Sequence, residues 1–382
     1  MKGGAAVELS GACYAALLSA SGVGIPGVER LALYTGGARG AWNADADALR
    51  RCLGEAAAAA LLALRREKPE LPETIAEESG KRGIRILVRE DAEYPAVLRE
   101  IARPPLALFV RGNPIPDAER IAVVGSRHAS LYGKRVAEEI AMGLAGRGVT
   151  VVSGAARGID TAAHKGALRE GRTVAVLGCG ADVAYPKENA RLLDEIVSSG
   201  AVISEYPPGT QPFPAFFPQR NRIISGLSRG TTVVEAAERS GSLITAEFAL
   251  SEGRDVFAVP GSIYSDTSRG CHRLIQQGAK LTMAAEDILE EYPWAQAAAP
   301  KERQTKLFGD DAPDGLSEEE QRVYALLSKE EALTVDDIIY RMHGRGNASN
   351  VAFLLLQMAL KGFVEEDENH AYSRVAGKEV VP

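Results

Sequence analysis

From Ile121 to Gly261 the chain alternates two patterns. Short, almost wholly apolar runs (IAVVGS, VTVVSG, TVAVLG, AVISEY, TTVVEAA, DVFAVPG) are separated by longer stretches with apolar residues at helical spacing (KRVAEEIAMGLAGRG, DTAAHKGALREG, NARLLDEIVSSG, RNRIISGLSRG, SLITAEFALSEG). The short runs predict strands and the long ones helices. Strands apolar on both faces and joined through helices predict an α/β fold, a parallel sheet covered on both sides. From Gly83 a mixed segment precedes it: IRILVRED and LALFVRGN read as strands, and YPAVLREIARPP as a short helix ended by prolines.

The ends follow other patterns. Residues 1–78 are Ala-rich with helical periodicity, as in DALRRCLGEAAAAALLAL, and predict a helical domain. Its turn SGVGIPGVERLA reads either as a plain helical turn or as a helix–hairpin–helix (SAM-like) element whose glycines offer amides to phosphate. Residues 293–315 lack periodicity and predict a linker. Over 316–376, SEEEQRVYALL, TVDDIIYRM and NASNVAFLLLQMALKG predict three helices, and FVEEDENHAYSR a hairpin, the order of a winged helix. The third helix is almost uncharged and the hairpin is acidic, which favours protein contact or oligomerisation over reading DNA.

Ligands of parallel sheets gather beyond the carboxyl ends of the strands. Two strand-to-helix junctions there, GSR and SGAARGID, end in small residues. The first amides of a helix lack partners within it and sit at the positive end of its dipole, so such junctions suit phosphate. Gly125, Ser126, Ser153, Gly154 and Gly158 leave room for it, and Arg127 adds a fork of cationic donors. Ser240-Gly241-Ser242 forms a third junction of this kind.

Charge first opposes and then accommodates a polyanion. The formal net charge is −7, yet residues 81–309 carry 29 Lys/Arg against 26 Asp/Glu, while 310–382 carry 7 against 15. The central segment is therefore the part able to present a basic groove. Lys187 and Arg191 follow the third strand of the alternating region, and Arg220, Asn221 and Arg222 stand at a helix start next to Phe213, Phe216 and Phe217. Aromatic faces stack bases of any identity while arginines track the backbone; the alternative is that the Phe residues are core. Each single cation also fits a solvated helix face.

Little here suggests catalysis. Asp160 and His164 are four apart on one predicted helix and form the best acid–base candidate, but the Asp also suits the helix dipole. The glycine motif GCGADV has Val183 where a dinucleotide fingerprint needs its third Gly, so no cofactor is expected. The four cysteines lie far apart, with no metal-ligand spacing, and are expected to stay reduced. Neither a membrane span nor a signal peptide is evident, which predicts a cytoplasmic protein. An alternative of another class is a nucleotide-binding enzyme of the nucleoside monophosphate phosphoribohydrolase type. Its Gly-rich loop would correspond to Ser-Gly-Ser-Leu-Ile-Thr before Glu247, which lacks most of the glycines.

Taken together, GSR, SGAARGIDTAAHKGAL, YPKEN, RNRIISGLSRG, SGSLITAEFALSEGRDVFAVPG and GCHRLIQQGAKL resemble the DNA-processing protein A family (DprA/Smf) from about Tyr94 to Ile288. The resemblance implies an extended Rossmann-like domain over 83–292 that binds single-stranded DNA. It implies a non-catalytic protein that protects incoming strands in natural transformation and loads the RecA recombinase onto them. Strand binding would fall on Arg127, and further on Lys187, Arg191 and Arg222. It also implies a homodimer, with a surface near His272, Ile275 and Leu281, and both a helical N-terminal and a winged-helix C-terminal domain.

Overall fold

The computed structural model describes residues 2–113, 119–296, 316–328, 332–342, 347–367 and 370–375. Among them, contacts define two compact units, one holding residues up to 129 together with 136–296, the other 130–135 and the C-terminal elements.

The larger unit is built on a nine-stranded sheet. In chain order its strands are β1 (Ile84–Val88), β2 (Ala107–Gly112), β3 (Arg120–Val124), β4 (Thr150–Ser153), β5 (Thr173–Leu177), β6 (Ala201–Ser204), β7 (Gly230–Val233), β8 (Asp255–Ala258) and β9 (Lys280–Leu281). Their spatial order is β1-β2-β6-β5-β4-β3-β7-β8-β9. All pairs from β6 through β9 are parallel, while β2 joins β6 antiparallel and β1 joins β2 antiparallel. The six apolar runs thus form β3 to β8, and both earlier runs form strands as well. The chain winds outward from β3 through β4 to β6, then returns to the other side of β3 for β7 to β9. This reversal beside β3 opens a crevice at the carboxyl ends, where ligands of such sheets bind.

Side chains alternate across the sheet with the period of two that a strand imposes. Val174 and Val176 of β5 join one core with Val124 of β3, Ile203 of β6 and Ile223 of the helix Phe216–Gly226. Ala175 and Leu177 join the other core, with Phe109 and Ile86 and the N-terminal helices. Those helices therefore share a core with the sheet. Gly11, in the helix Lys2–Leu18, allows this: a Cβ there would stand 2.3 Å from the Ile86 side chain.

In the smaller unit the helices Glu318–Leu326, Val335–Arg341 and Ala348–Leu360 pack with a hairpin of β10 (Val364–Glu366) and β11 (Tyr372–Arg374) around Leu355, Met358 and Ile338. A bridge from Leu333 to Tyr372 adds a third short strand position, completing winged-helix order. Of the linker read over 293–315, residues 297–315 lie outside the described residues. Pro293–Gln296 form a helical turn, with the Trp294 ring stacked on Tyr292. The four cysteines are buried and unpaired. Among the described residues no helix is long and apolar enough to cross a membrane.

Candidate functional site

The β3, β4 and β7 loops are knitted into one rim. Ser126 N–H donates to the Glu235 carbonyl beyond β7 (2.7 Å), and Ile159 N–H donates to the Ser126 carbonyl (3.2 Å). Gly158 has φ +76°, and a Cβ there would lie 2.3 Å from the Ser126 carbonyl oxygen, so glycine is required both by conformation and by the close approach. Gly125 lies where a Cβ would meet Ile159 and the Glu235 carbonyl. The small residues of these junctions thus pack loop on loop.

Beneath the rim lies a buried polar frame. Arg220 is 4 % exposed and its Nη1 donates to the carbonyls of Gly154 (2.7 Å) and Val176, tying the ends of β4 and β5 to the helix Phe216–Gly226. Burial lowers its pKa to about 10, with the Asp160 carboxylate opposing that fall, so it remains a cation at neutral pH. Asp160, also buried, accepts the amides of Gly154 (3.1 Å) and Ala156 (3.3 Å). Burial raises its pKa against the pull of Arg220 and those amides. Asn189 braces the same loop from outside β5, donating to the Ala155 carbonyl (2.9 Å) and to Thr161 Oγ1 (2.8 Å). That brace suits Ala155, a non-glycine residue held at φ +53°.

Several residues read from sequence as phosphate ligands are engaged by the fold. Ser126 and Gly154 amides are taken by Glu235 and Asp160, as given above. The Ser153 hydroxyl, fully buried, donates to the Val123 carbonyl (2.7 Å). Arg220 is the strut just described. Arg222 is 9 % exposed and its Nη2 donates to both Glu205 oxygens (2.5 and 2.6 Å). Asn221 donates to the Gly241 carbonyl (3.2 Å), and Ser240 caps its own helix, Gly241–Ser251, through the Ser242 amide (3.4 Å). Ser242 is itself buried. The acid–base candidate also dissolves: His164 Nδ1 pairs with Thr173 Oγ1 (2.7 Å), and burial lowers its pKa to about 3.

What the rim presents outward is a cation set on aromatic rings. Arg127 is exposed, and its guanidinium lies 5.3 Å from the Phe217 ring centroid. Tyr185 flanks Phe217 at 5.3 Å. On the other side of the same helical turn Phe216 stacks on Tyr206 (4.2 Å) and meets the edge of Phe213 (5.6 Å), which is 58 % exposed. Lys187 is exposed in the turn Lys187–Asn189. Arg157 is exposed and paired with Glu188. Arg191 points to solvent from the helix Ala190–Ser199, beside Glu195 at 3.2 Å. An exposed pair of this kind is weak and opens to a phosphate at little cost. Tyr185, Tyr206, Arg157 and Asn189 escaped the sequence reading; the Y-P-K-E-N run was the available signal for two of them.

Farther along the sheet, His272 Nε2 faces the Gly261 carbonyl (3.0 Å) and Ile275 packs half-buried against the core. Leu281 lies on the edge strand β9, 43 % exposed, next to Met283 at 70 %. Among the described residues no group of His, Cys, Asp and Glu is arranged to hold a metal ion.

The profile of the family described as DNA recombination-mediator protein A matches residues 85–293. The chain is 53 % identical over 201 residues to the DNA processing protein DprA of Streptococcus pneumoniae, covering 52 % of this chain and 71 % of that protein. It is 42 % identical over 228 residues to the Bacillus subtilis protein of the same name, covering 59 % and 76 %. The solved structure of the Streptococcus pneumoniae protein superposes with a TM-score of 0.64 at 40 % identity, covering 72 % of this chain and 96 % of that one.

Proposed function

Since the chain belongs to the DNA recombination-mediator protein A family, we propose that it acts in DNA recombination by holding single-stranded DNA along the carboxyl rim of its sheet. The observation that carries this reading is Arg127, exposed and seated over Phe217. A guanidinium on an aromatic face offers in-plane donors to a phosphate while the neighbouring rings stay open to bases. Lys187, Arg157 and Arg191 add exposed cations from the loops and helix that follow β4 and β5. The glycines set the loops close together, and the Arg220–Asp160–Asn189 frame holds the rim rigid, which lowers the ordering cost of binding.

The side chains at the rim are long cations and rings, with nothing shaped to read the edges of a duplex, so binding is tolerant of sequence. The reading extends to protecting incoming strands and loading RecA onto them, without covalent chemistry. It also takes in a homodimer whose copies meet around Leu281 at the sheet edge; joining two short tracks raises avidity without new contacts.

The test is a fluorescence-anisotropy titration of the full chain with labelled oligothymidylate across a salt series. If roughly four phosphates are neutralised per protomer, log K falls against log salt with a slope of about −3. A flat salt response, or tighter binding to duplex than to the single strand, overturns the reading.

A further inference from the structure

Beside the rim, still within the larger unit, lies a cleft of about 1000 Å3. One wall is the N-terminal turn, with Val23, Ile25 and Pro26; the other is Tyr206, Phe216 and Phe248. The Glu205–Arg222 pair and Glu252 also line it. The lining is mostly apolar with a few convergent polar groups, which is the composition of a small-ligand site. One of those groups is unsatisfied. Arg222 is 9 % exposed, its Nη2 is taken by Glu205, and its Nη1 has no acceptor. A buried donor without an acceptor is costly, and here it lies behind the cleft wall, where Glu205 takes the other nitrogen.

The cleft adjoins the rim through a single helical turn. Phe216 and Phe217 are consecutive, and their rings diverge. Phe217 goes to Arg127 and Tyr185, whereas Phe216 goes to Tyr206 in the cleft wall. Bases laid against Phe217 are therefore one step from bases laid against Phe216. We propose that the cleft is a nucleobase pocket that carries the strand from the sheet rim onto the N-terminal turn Ser19–Pro26. This rests on the strand-binding reading above. A planar heterocycle lies flat on the Tyr206–Phe216 stack. Its edge meets the Gln219 amide and the Glu252 carboxyl, which together supply both donors and acceptors. Arg103, exposed at the cleft, is placed for the attached phosphate. A purely aliphatic occupant would leave these polar groups unanswered. A free mononucleotide shares the chemistry of a base in a strand, and the experiment separates the two.

Oligothymidylates carrying one 4-thiothymidine at successive positions are irradiated with the full-length protein, and the adducts are mapped by mass spectrometry. The expected result is that adjacent positions label Tyr206, Phe248 or residues 19–26, while their neighbours label Tyr185 or Phe217. Adducts confined to the rim overturn the pocket and leave rim binding standing; adducts at neither place overturn both. In parallel, Val23→Trp and Ser251→Trp fill the cleft from opposite sides, so a folding failure in one leaves the other. Each is expected to weaken binding of a long oligonucleotide about tenfold, the worth of one or two stacked bases, and to spare one that spans only the rim. Equal affinity of both folded variants for the long strand overturns the proposal. So does a cleft labelled by 4-thiothymidine monophosphate but by no position of the strand, which would make it a mononucleotide site.

Discussion

The sheet rim and the C-terminal winged helix are both places where proteins meet nucleic acid, yet they are finished in opposite ways. At the rim, exposed Arg127 stands on Phe217 above a buried polar frame. The third helix of the C-terminal unit, Ala348–Leu360, contains no charged residue and exposes Phe353 (55 %), Leu356 (55 %) and Leu360 (82 %). Its wing exposes Glu365, paired with Arg135, and Glu366, beside His370 Nδ1 (2.5 Å), and Lys361 at the helix end donates to both oxygens of buried Glu320 (2.7 and 2.8 Å). On the strand-binding reading the first surface offers a polyanion a cation, whereas the third helix of the second offers it none. The difference teaches that an element's topological position does not assign its partner; the charge left over after the fold has used its share does.

Four changes break or sharpen this comparison. The largest effect belongs to the frame. Arg220→Ala removes the cation beside buried Asp160 and the donor to two strand ends, and should destabilise the protein by about 3–5 kcal/mol in urea denaturation. A variant of unchanged stability would return Arg220 to the ligand role read from sequence. Next is the outward face of the same rim. Arg127→Ala should cost about 1.5–3 kcal/mol of strand affinity in anisotropy, with the melting temperature unmoved; a parallel loss of both would make Arg127 part of the frame.

The third concerns pH. His164 is held neutral by burial, its pKa lowered from the 6.5 of a free side chain to about 3. Between those values the unfolded chain binds a proton that the folded protein refuses. Stability from this group is therefore complete above pH 6.5 and is lost as pH falls toward 3, by up to about 1.4 kcal/mol per unit. Asp160, whose pKa burial raises, acts in the opposite sense, so the quantity to measure is the difference in pH slope between the native protein and His164→Gln. Equal slopes would contradict the buried, neutral imidazole. The smallest effect is at the contrasting surface. Leu356→Glu should change strand affinity by less than about 0.5 kcal/mol; a large loss would bring the third helix into the DNA interface.

The strands and their order of alternation were legible because buried parallel strands write themselves as apolar runs between helices. Arg127 was legible because it follows a strand directly, where the loop must open at the carboxyl edge. Arg220 and Arg222 were not. Their sequence, R-N-R at a helix start, resembles a phosphate track, and only the packing of that helix across β4 and β5 shows one arginine spent on carbonyls and the other on Glu205. Asp160 and His164 do stand four apart on a helix, but each bonds outside it, Asp160 to amides of the loop that leads into the helix and His164 to Thr173 on β5. The Ser126 amide fails as a phosphate donor for the same reason, since its acceptor lies 109 residues on, at Glu235. Tertiary partners of polar groups are non-local, and a single sequence carries them only faintly.

The most direct test is a crystal structure of the full chain with oligothymidylate bound. Phosphates within hydrogen-bond reach of Arg127, with bases against Phe217 and Tyr185, are the result this account predicts. A strand lying on the winged helix, with the rim empty, would contradict it.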